Sequence, residues 1–227
     1  MCGRITQKSD PKVLGLKIVT LIEPSVAPED ARPRFNGAPG QQHWVIRQHP
    51  KSHERHLDRL WWGLIPNWSE PSPKLKPINA TAERVATAPM FRQAFAKRRA
   101  LLPVDSFFEW TKAKGKRAKQ PFAIAMQDGQ PFALAAIWES WRNPESGDIV
   151  RTFCVLTTEA NALQAPIHDR MPVILPPAQF DRWLSALEPD PRDLLRSFPP
   201  NVMRMWPVSP RVNSAANDDA DILDRVG

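Results

Sequence analysis

Apolar positions along this chain come in short runs, each soon cut by a proline, a glycine or a polar cluster. One stretch has a clear helical period. In PPAQFDRWLSALE (176–188), Phe180, Trp183, Leu184 and Leu187 fall at i, i+3, i+4 and i+7 behind two prolines, which predicts a helix burying all four. A second helix is expected in VATAPMFRQAFAKRR (85–99), but only after Ala88, because Pro89 lacks the amide hydrogen that a helix interior uses. Strand patterns dominate elsewhere. FAIAMQDGQPFALAAIW (122–138) reads as a hairpin, two apolar runs meeting at the turn pair Asp128 and Gly129. RTFCVLTT (151–158) and MPVIL (171–175) read as buried strands, and ALLPVDSFFEW (100–110) as another that ends at an acid.

The 25 prolines against 9 glycines favour many short elements joined by stiff turns. There is no repeat. At 227 residues the chain is long enough for one sizeable core, and the expectation is a single α+β domain over 1–227, mainly sheet with a few short flanking helices. TKAKGKRAKQ (111–120) packs five basic residues around Gly115 and suits a hairpin tip, whether solvated or phosphate-contacting. NSAANDDADILDRVG (213–227) reads as a polar C-terminal tail, lying over the surface or partly disordered.

No run of 18 apolar residues and no charged-then-apolar leader occurs, so neither a membrane span nor a signal peptide is predicted. Cys2 and Cys154 are too few for a disulfide framework or a four-cysteine zinc site, and a reduced, cytoplasmic setting fits them. The histidines have no CxxC or HExxH frame around them; no metal and no cofactor are expected. Lysine and arginine outnumber acids 31 to 24, a formal charge of +7 that allows a polyanionic partner. Nine tryptophans without a tyrosine supply either core filling or platforms for stacked bases.

Candidate chemistry begins at MCGR. If Met1 is removed, Cys2 presents a free amine and a thiol on adjacent carbons, a 1,2-aminothiol that no internal cysteine can provide. Its natural target is an aldehyde: the amine forms an imine, and the thiol adds to close a five-membered thiazolidine. Further stretches combine polar groups with turn formers in ways a core does not need: RFNGAPG (34–40), INATAE (78–83), FFEW (107–110) and IHDRMP (167–172). WWGLIPNW (61–68) adds aromatic surface.

Together, in order and spacing, these motifs resemble the SRAP (SOS response-associated peptidase) family of abasic-site processing proteins, from MCGR to the late WPVSPRVNS. The resemblance implies a barrel-like, largely antiparallel fold and covalent capture of an abasic site in single-stranded DNA as part of the DNA damage response. Residue by residue it implies Cys2 as nucleophile, Asn79 as the amide that bonds the opened sugar, and Glu109 and His168 as proton-transfer groups. Arg4, Asn36 and Arg170 would contact DNA, as would Thr157; Trp68 would stack on a base, and Met90 with Phe91 would form an apolar wedge. One departure stands out. Thr81 occupies the position where the family pattern has arginine, with Arg84 three residues on as the nearest substitute. The implied partner is single-stranded DNA containing abasic sites, bound by a monomer. Two other readings use the same residues: an N-terminal-cysteine peptidase, including self-removal of Met1, and a non-covalent single-stranded DNA module.

Overall fold

In a computed structural model the described residues are 2–10, 20–21, 32–49, 52–69, 74, 76–111 and 119–227. Their strands are β1 (Ile5–Gln7), β2 (Thr20–Leu21), β3 (Arg34–Gly37), β4 (Gln42–Gln48), β5 (Arg55–Trp62), β6 (Asn79–Thr81) and β7 (Arg99–Val104). The later strands are β8 (Ser106–Trp110), β9 (Pro121–Met126), β10 (Phe132–Arg142), β11 (Ile149–Glu159), β12 (Arg170–Pro172), β13 (Ile174–Leu175) and β14 (Met203–Pro207). Three short helices accompany them: α1 (Ala82–Val85), α2 (Arg92–Lys97) and α3 (Phe180–Leu184).

One sheet runs β14-β9-β8-β1-β3, antiparallel throughout. The other runs β12-β11-β10-β7-β4-β5-β2 and closes on itself, because β5 also pairs with β11 in parallel, Trp61 opposite Thr152 and Trp62 opposite Phe153. The ring β11-β10-β7-β4-β5 is therefore a five-stranded barrel, antiparallel except at its closing seam. This matches the expected sheet-rich α+β fold.

Alternation on these strands sorts the core. Val45, Leu60, Trp62, Leu134, Trp138, Phe153 and Val155 share one buried cluster with Ile5, Phe107 and Ile124 of the other sheet. Residues of opposite parity, among them Ile46, Leu101, Ala133, Ala135, Ile137 and Leu156, pack against Val85, Phe95, Phe180 and Trp183 of the helices. Each large side chain buried this way contributes roughly 1.5–3 kcal/mol.

The structure departs from the sequence pattern in four places. The turn at Asp128 and Gly129 forms, with Gly129 at φ 74° and its amide on the Met126 carbonyl, yet β9 and β10 are not a hairpin. β9 pairs with β8 and β14, whereas β10 pairs with β7, β11 and β13, so the turn carries the chain from one sheet to the other. Likewise 100–110 is two strands. The break falls at Asp105, whose carboxylate accepts the amides of Lys8 and Ser9 at 2.7 and 3.0 Å. The predicted helix stops at Leu184, leaving Leu187 84% exposed. Arg99 is the cause: it donates to the carbonyls of Trp183, Ser185 and Glu188, and Pro189 then disfavours helix at Glu188.

The fourth departure is the tail, which lies over the surface as expected but is tied down and partly buried. Ile222 is buried with Phe108, Val208 and Val212, and Val208 bridges Arg225. Asp218 Oδ1 accepts the Phe35 and Asn36 amides at 2.6 and 2.8 Å. The ends of the basic hairpin do meet, Thr111 and Gln120 exchanging hydrogen bonds at 3.0 Å, while its tip, 112–118, lies outside the described residues.

Asp218→Ala leaves two amides without an acceptor and should lower the unfolding free energy by about 1–3 kcal/mol, read as a lower urea midpoint. Asp190→Ala, which breaks only an exposed pair with Arg192, should cost at most about 1 kcal/mol. Equal midpoints for the two variants would mean that the tail is not fastened through Asp218.

Candidate functional site

Cys2 is fully buried, inside the cluster shared by the two sheets. Chain ends usually fray, so a buried second residue needs specific fastening. Asn79 provides it, donating Nδ2 to the Cys2 carbonyl at 2.8 Å. Asn79 is positioned in turn by the parallel pairing of β6 with β11, which sets it opposite Val155 on the inner face. Glu109 comes from β8. Ile5 pairs with Phe107 and the Phe108 amide donates to the Arg4 carbonyl, so continuing the register brings Glu109 opposite Gly3, next to Cys2. Its alternation partner Phe107 lies in the cluster with Cys2, while Phe108 points the other way, toward the tail.

The thiol is pushed up to about 12, first by burial and then by the Glu109 charge, opposed by the charge of the N-terminal amine and then by a hydrogen bond from the Arg4 amide. At neutral pH it is therefore a thiol and not a thiolate. A buried sulfur of this kind becomes a nucleophile only when a neighbouring base takes its proton. Glu109, itself buried, is the carboxylate whose field reaches it.

On the far side of β11 the chain returns through a turn to β12. Ile167 and Met171, either side of His168, belong to the same cluster as Cys2. The His168 Nδ1 accepts the Arg170 amide at 2.9 Å, so the neutral ring carries its proton on Nε2. Arg170 forms a bidentate pair with Glu83 at 2.8 and 3.0 Å and donates to the Thr157 carbonyl at 2.6 Å. The Glu83 carboxyl is held below its usual range, chiefly by the Arg170 hydrogen bonds. Gln164, buried, donates to the Arg170 carbonyl at 2.6 Å, and its own carbonyl accepts the His168 amide at 3.0 Å.

Several buried polar atoms here have no hydrogen-bond partner among the described residues: Asn79 Oδ1, Thr157 Oγ1, Gln164 Oε1 and Arg170 Nε. Each costs about 1–3 kcal/mol if left bare, so their concentration beside Cys2 and His168 marks a place prepared for a polar ligand. Adjoining it is a groove of about 550 Å3 lined by Trp68, Asn79, Thr81, Arg84, Met90 and Phe91 together with prolines and alanines. Trp68 is 59% exposed. Thr81 and Arg84 line the same groove, so the shift of three residues keeps a guanidinium there. Among the described residues no group of three or more His, Cys, Asp and Glu could hold a metal ion.

Two of the expected DNA contacts are engaged within the protein. Asn36 is 1% exposed, and its Nδ2 is spent on the carbonyls of Val212, Ser214 and Asn217. Arg4 donates to Asn36 Oδ1 at 3.0 Å and to the Val212 carbonyl at 2.9 Å. The pair fastens the C-terminal segment beside Cys2. Thr157 is fully buried; its hydroxyl faces the site and not the surface. Glu83 and Gln164 were not singled out by the sequence reading. Glu83 stands within INATAE and was recoverable from that motif, whereas nothing in the local pattern around Gln164 distinguishes it.

A family model described as SOS response associated peptidase (SRAP) matches residues 1–215. The chain belongs to the SRAP family. Similar SRAP relatives include abasic site processing protein YoqW of Bacillus subtilis (strain 168), 34% identical over 231 residues and 99% of each chain. Abasic site processing protein YedK of Escherichia coli (strain K12) is 34% identical over 233 residues, the whole of both chains. Abasic site processing protein HMCES of Gallus gallus is 26% identical over 85% of this chain and 66% of its own. The SRAP fold is also seen in a crystal structure from Bacteroides thetaiotaomicron, with a TM-score of 0.87 at 22% identity over 99% of this chain and 100% of that one.

Raising a thiol from its ordinary 9.0 to about 12 reduces the thiolate at pH 8 roughly a thousandfold, so iodoacetamide should label native Cys2 about that much more slowly than the urea-unfolded chain. The rate should climb about tenfold per pH unit up to pH ~11 while the fold holds. Peptide mass spectrometry separates Cys2 from Cys154, which burial raises further. Fast native labelling of Cys2 at pH 8 would contradict the buried thiol.

Proposed function

We propose that this protein captures the aldehyde of a ring-opened abasic site in single-stranded DNA, with Cys2 supplying both new bonds. The observation that carries the reading is the double role of Asn79, which holds the Cys2 backbone and also lines the groove that ends at exposed Trp68. A strand lying in that groove would present a baseless sugar at the buried cysteine. The names of the relatives, abasic site processing proteins, agree with it.

The chemistry starts with removal of Met1, which turns the Cys2 amide into an amine. That amine titrates near neutrality, so part of it is nucleophilic at cellular pH. It adds to the aldehyde carbon, giving a carbinolamine, which loses water to become an imine. The sulfur then adds to the imine carbon, its proton passing to nitrogen, and the five-membered ring closes. The net change is aldehyde plus aminothiol to thiazolidine plus water. Nitrogen leads and sulfur follows, because the carbon to which the sulfur adds is the imine carbon that the amine creates.

Glu109 is the group next to the sulfur and serves to take its proton and return it to nitrogen. His168, with its proton on Nε2, serves to protonate the departing hydroxyl or the sugar ring oxygen. Asn79 Oδ1 and Thr157 Oγ1 gain the partners they lack from the hydroxyls of the opened sugar. Arg170 reaches a phosphate only by exchanging Glu83 for it, which tempers affinity. Trp68 stacks on a flanking base, and Met90 with Phe91 fills the gap the missing base leaves. The peptidase reading uses the same residues, but its scissile bond involves Met1, outside the described residues; turnover of a peptide without any DNA adduct would favour it.

Incubation with an abasic single strand should give an adduct that survives heat and denaturant, with far less from the same site in duplex. Cys2→Ser should give at most a labile imine, and a chain shown by mass to retain Met1 should give none. A heat-stable adduct from the Met1-retaining chain would sink this mechanism.

Glu109→Gln preserves size and hydrogen bonding but removes the base, so adduct formation should slow by about a hundredfold to ten-thousandfold. Affinity for unmodified single-stranded DNA should hardly change. Loss of affinity or of folding in this variant would instead make Glu109 a structural acid.

A further inference from the structure

The groove at Trp68 has a neighbour. A second groove of about 420 Å3 lies across the segment Gly63–Trp68, and Lys76 lines it while the next residue, Pro77, lines the first. The two segments that contribute to both grooves are paired, the Leu64 amide donating to the Pro77 carbonyl at 3.0 Å.

The second groove has the chemistry of a base platform. Trp61 stands on its wall 44% exposed, a large π face kept partly in water at the expense of the burial it could have had. Lys76 brings a cation to the same wall. Gly40 and Gly63 line it without side chains, and at Gly63, where φ is +140°, an added Cβ would come within 3.3 Å of Lys76 Cβ. Two polar groups on its wall already have partners. The Trp141 indole N–H donates to the Ser69 carbonyl at 3.1 Å, and the Thr152 hydroxyl accepts the Ile65 amide at 2.9 Å.

We propose that this groove is a subsite for a further unpaired nucleotide of the same strand, its base laid on Trp61 and its phosphate met by Lys76. The inference rests on the reading of the Trp68 groove as the path of single-stranded DNA. A strand leaving that groove past Pro77 meets Lys76 and a second aromatic face. Stacking on Trp61 uses the face of a base, which every base has, so the subsite accepts any of the four.

The test is fluorescence anisotropy with labelled single strands carrying one abasic site, extended by one nucleotide at a time on the 5′ or the 3′ side, alongside cross-linking of each. Extension on one side only should tighten binding to the parent. Trp61→Ala should abolish that gain, a loss of about fivefold or more, while Trp61→Phe keeps most of it. Lys76→Gln should lower the salt slope by about 0.7 on the extended strand alone. The unextended strand should bind and cross-link to all three variants as to the parent. The proposal is overturned if extension gives no gain, if the gain survives Trp61→Ala, or if Trp61→Ala weakens the unextended strand equally. Adducts formed without an extension effect sink the subsite alone, whereas no adduct from any strand sinks the reading of function on which it rests.

Discussion

Two residue pairs, Trp61 with Thr152 and Trp62 with Phe153, close the barrel, and the placement of the site follows from that short parallel seam. Parallel pairing directs β5 and β11 the same way, so the chain leaving Trp62 continues alongside β11. The Gly63 amide takes the Phe153 carbonyl, and β6 then occupies the next stretch of the same strand, Asn79 opposite Val155. Asn79 thereby meets the Cys2 carbonyl. Between seam and β6 the chain carries Trp68, which is exposed. Closing the barrel and holding the N-terminal segment are consequences of one registration.

The balance of burial inside that frame is unusual. Most of the inner cluster is hydrocarbon, yet Glu109, the Cys2 thiol and several orphaned polar atoms sit among it. A protein interior tolerates such groups poorly, and the cost is accepted where the groups have work to do. Low polarity around the sulfur keeps it protonated and protects it from oxidation and adventitious alkylation, because the thiolate is the reactive form. Arginines elsewhere in the fold are used as internal ties: Arg99 ends a helix and Arg47 binds Asp58 beneath Trp138. The positive formal charge of the sequence is thus only partly a charge on the surface.

The sequence made the local elements legible and left their partners hidden. Asp128 and Gly129 specify a turn whatever follows it, so the turn was readable, but the choice of β8 and β14 over β10 is made by inner-face packing between distant segments. The helix over Phe180–Leu184 was readable from its period, and its early end was not, since the cause is a guanidinium from Arg99. Cys2, Asn79 and Glu109 were found because their motifs are specific, and they do converge. Arg4 and Asn36 stand out for the same reason, and the internal ties they make to the C-terminal segment were not legible. An arginine announces that it will hold an oxygen; it does not say whether that oxygen is a phosphate or a backbone carbonyl of residue 212.

That last contact has a consequence for how the protein is made. Residues 212–218 hold Arg4 and Asn36, which flank the strand leading to Cys2, so this segment is seated by one made some 208 residues later. At about 5–20 residues per second, translation of this length of chain lasts on the order of ten to fifty seconds, during which the N-terminal thiol is outside the ribosome without its pocket. The nascent chain therefore passes through a period in which Cys2 is an ordinary exposed thiol, open to the oxidants, electrophiles and processing enzymes of the cell. Completion of the C-terminal segment ends that period, and the same event that finishes the fold withdraws the thiol from general chemistry.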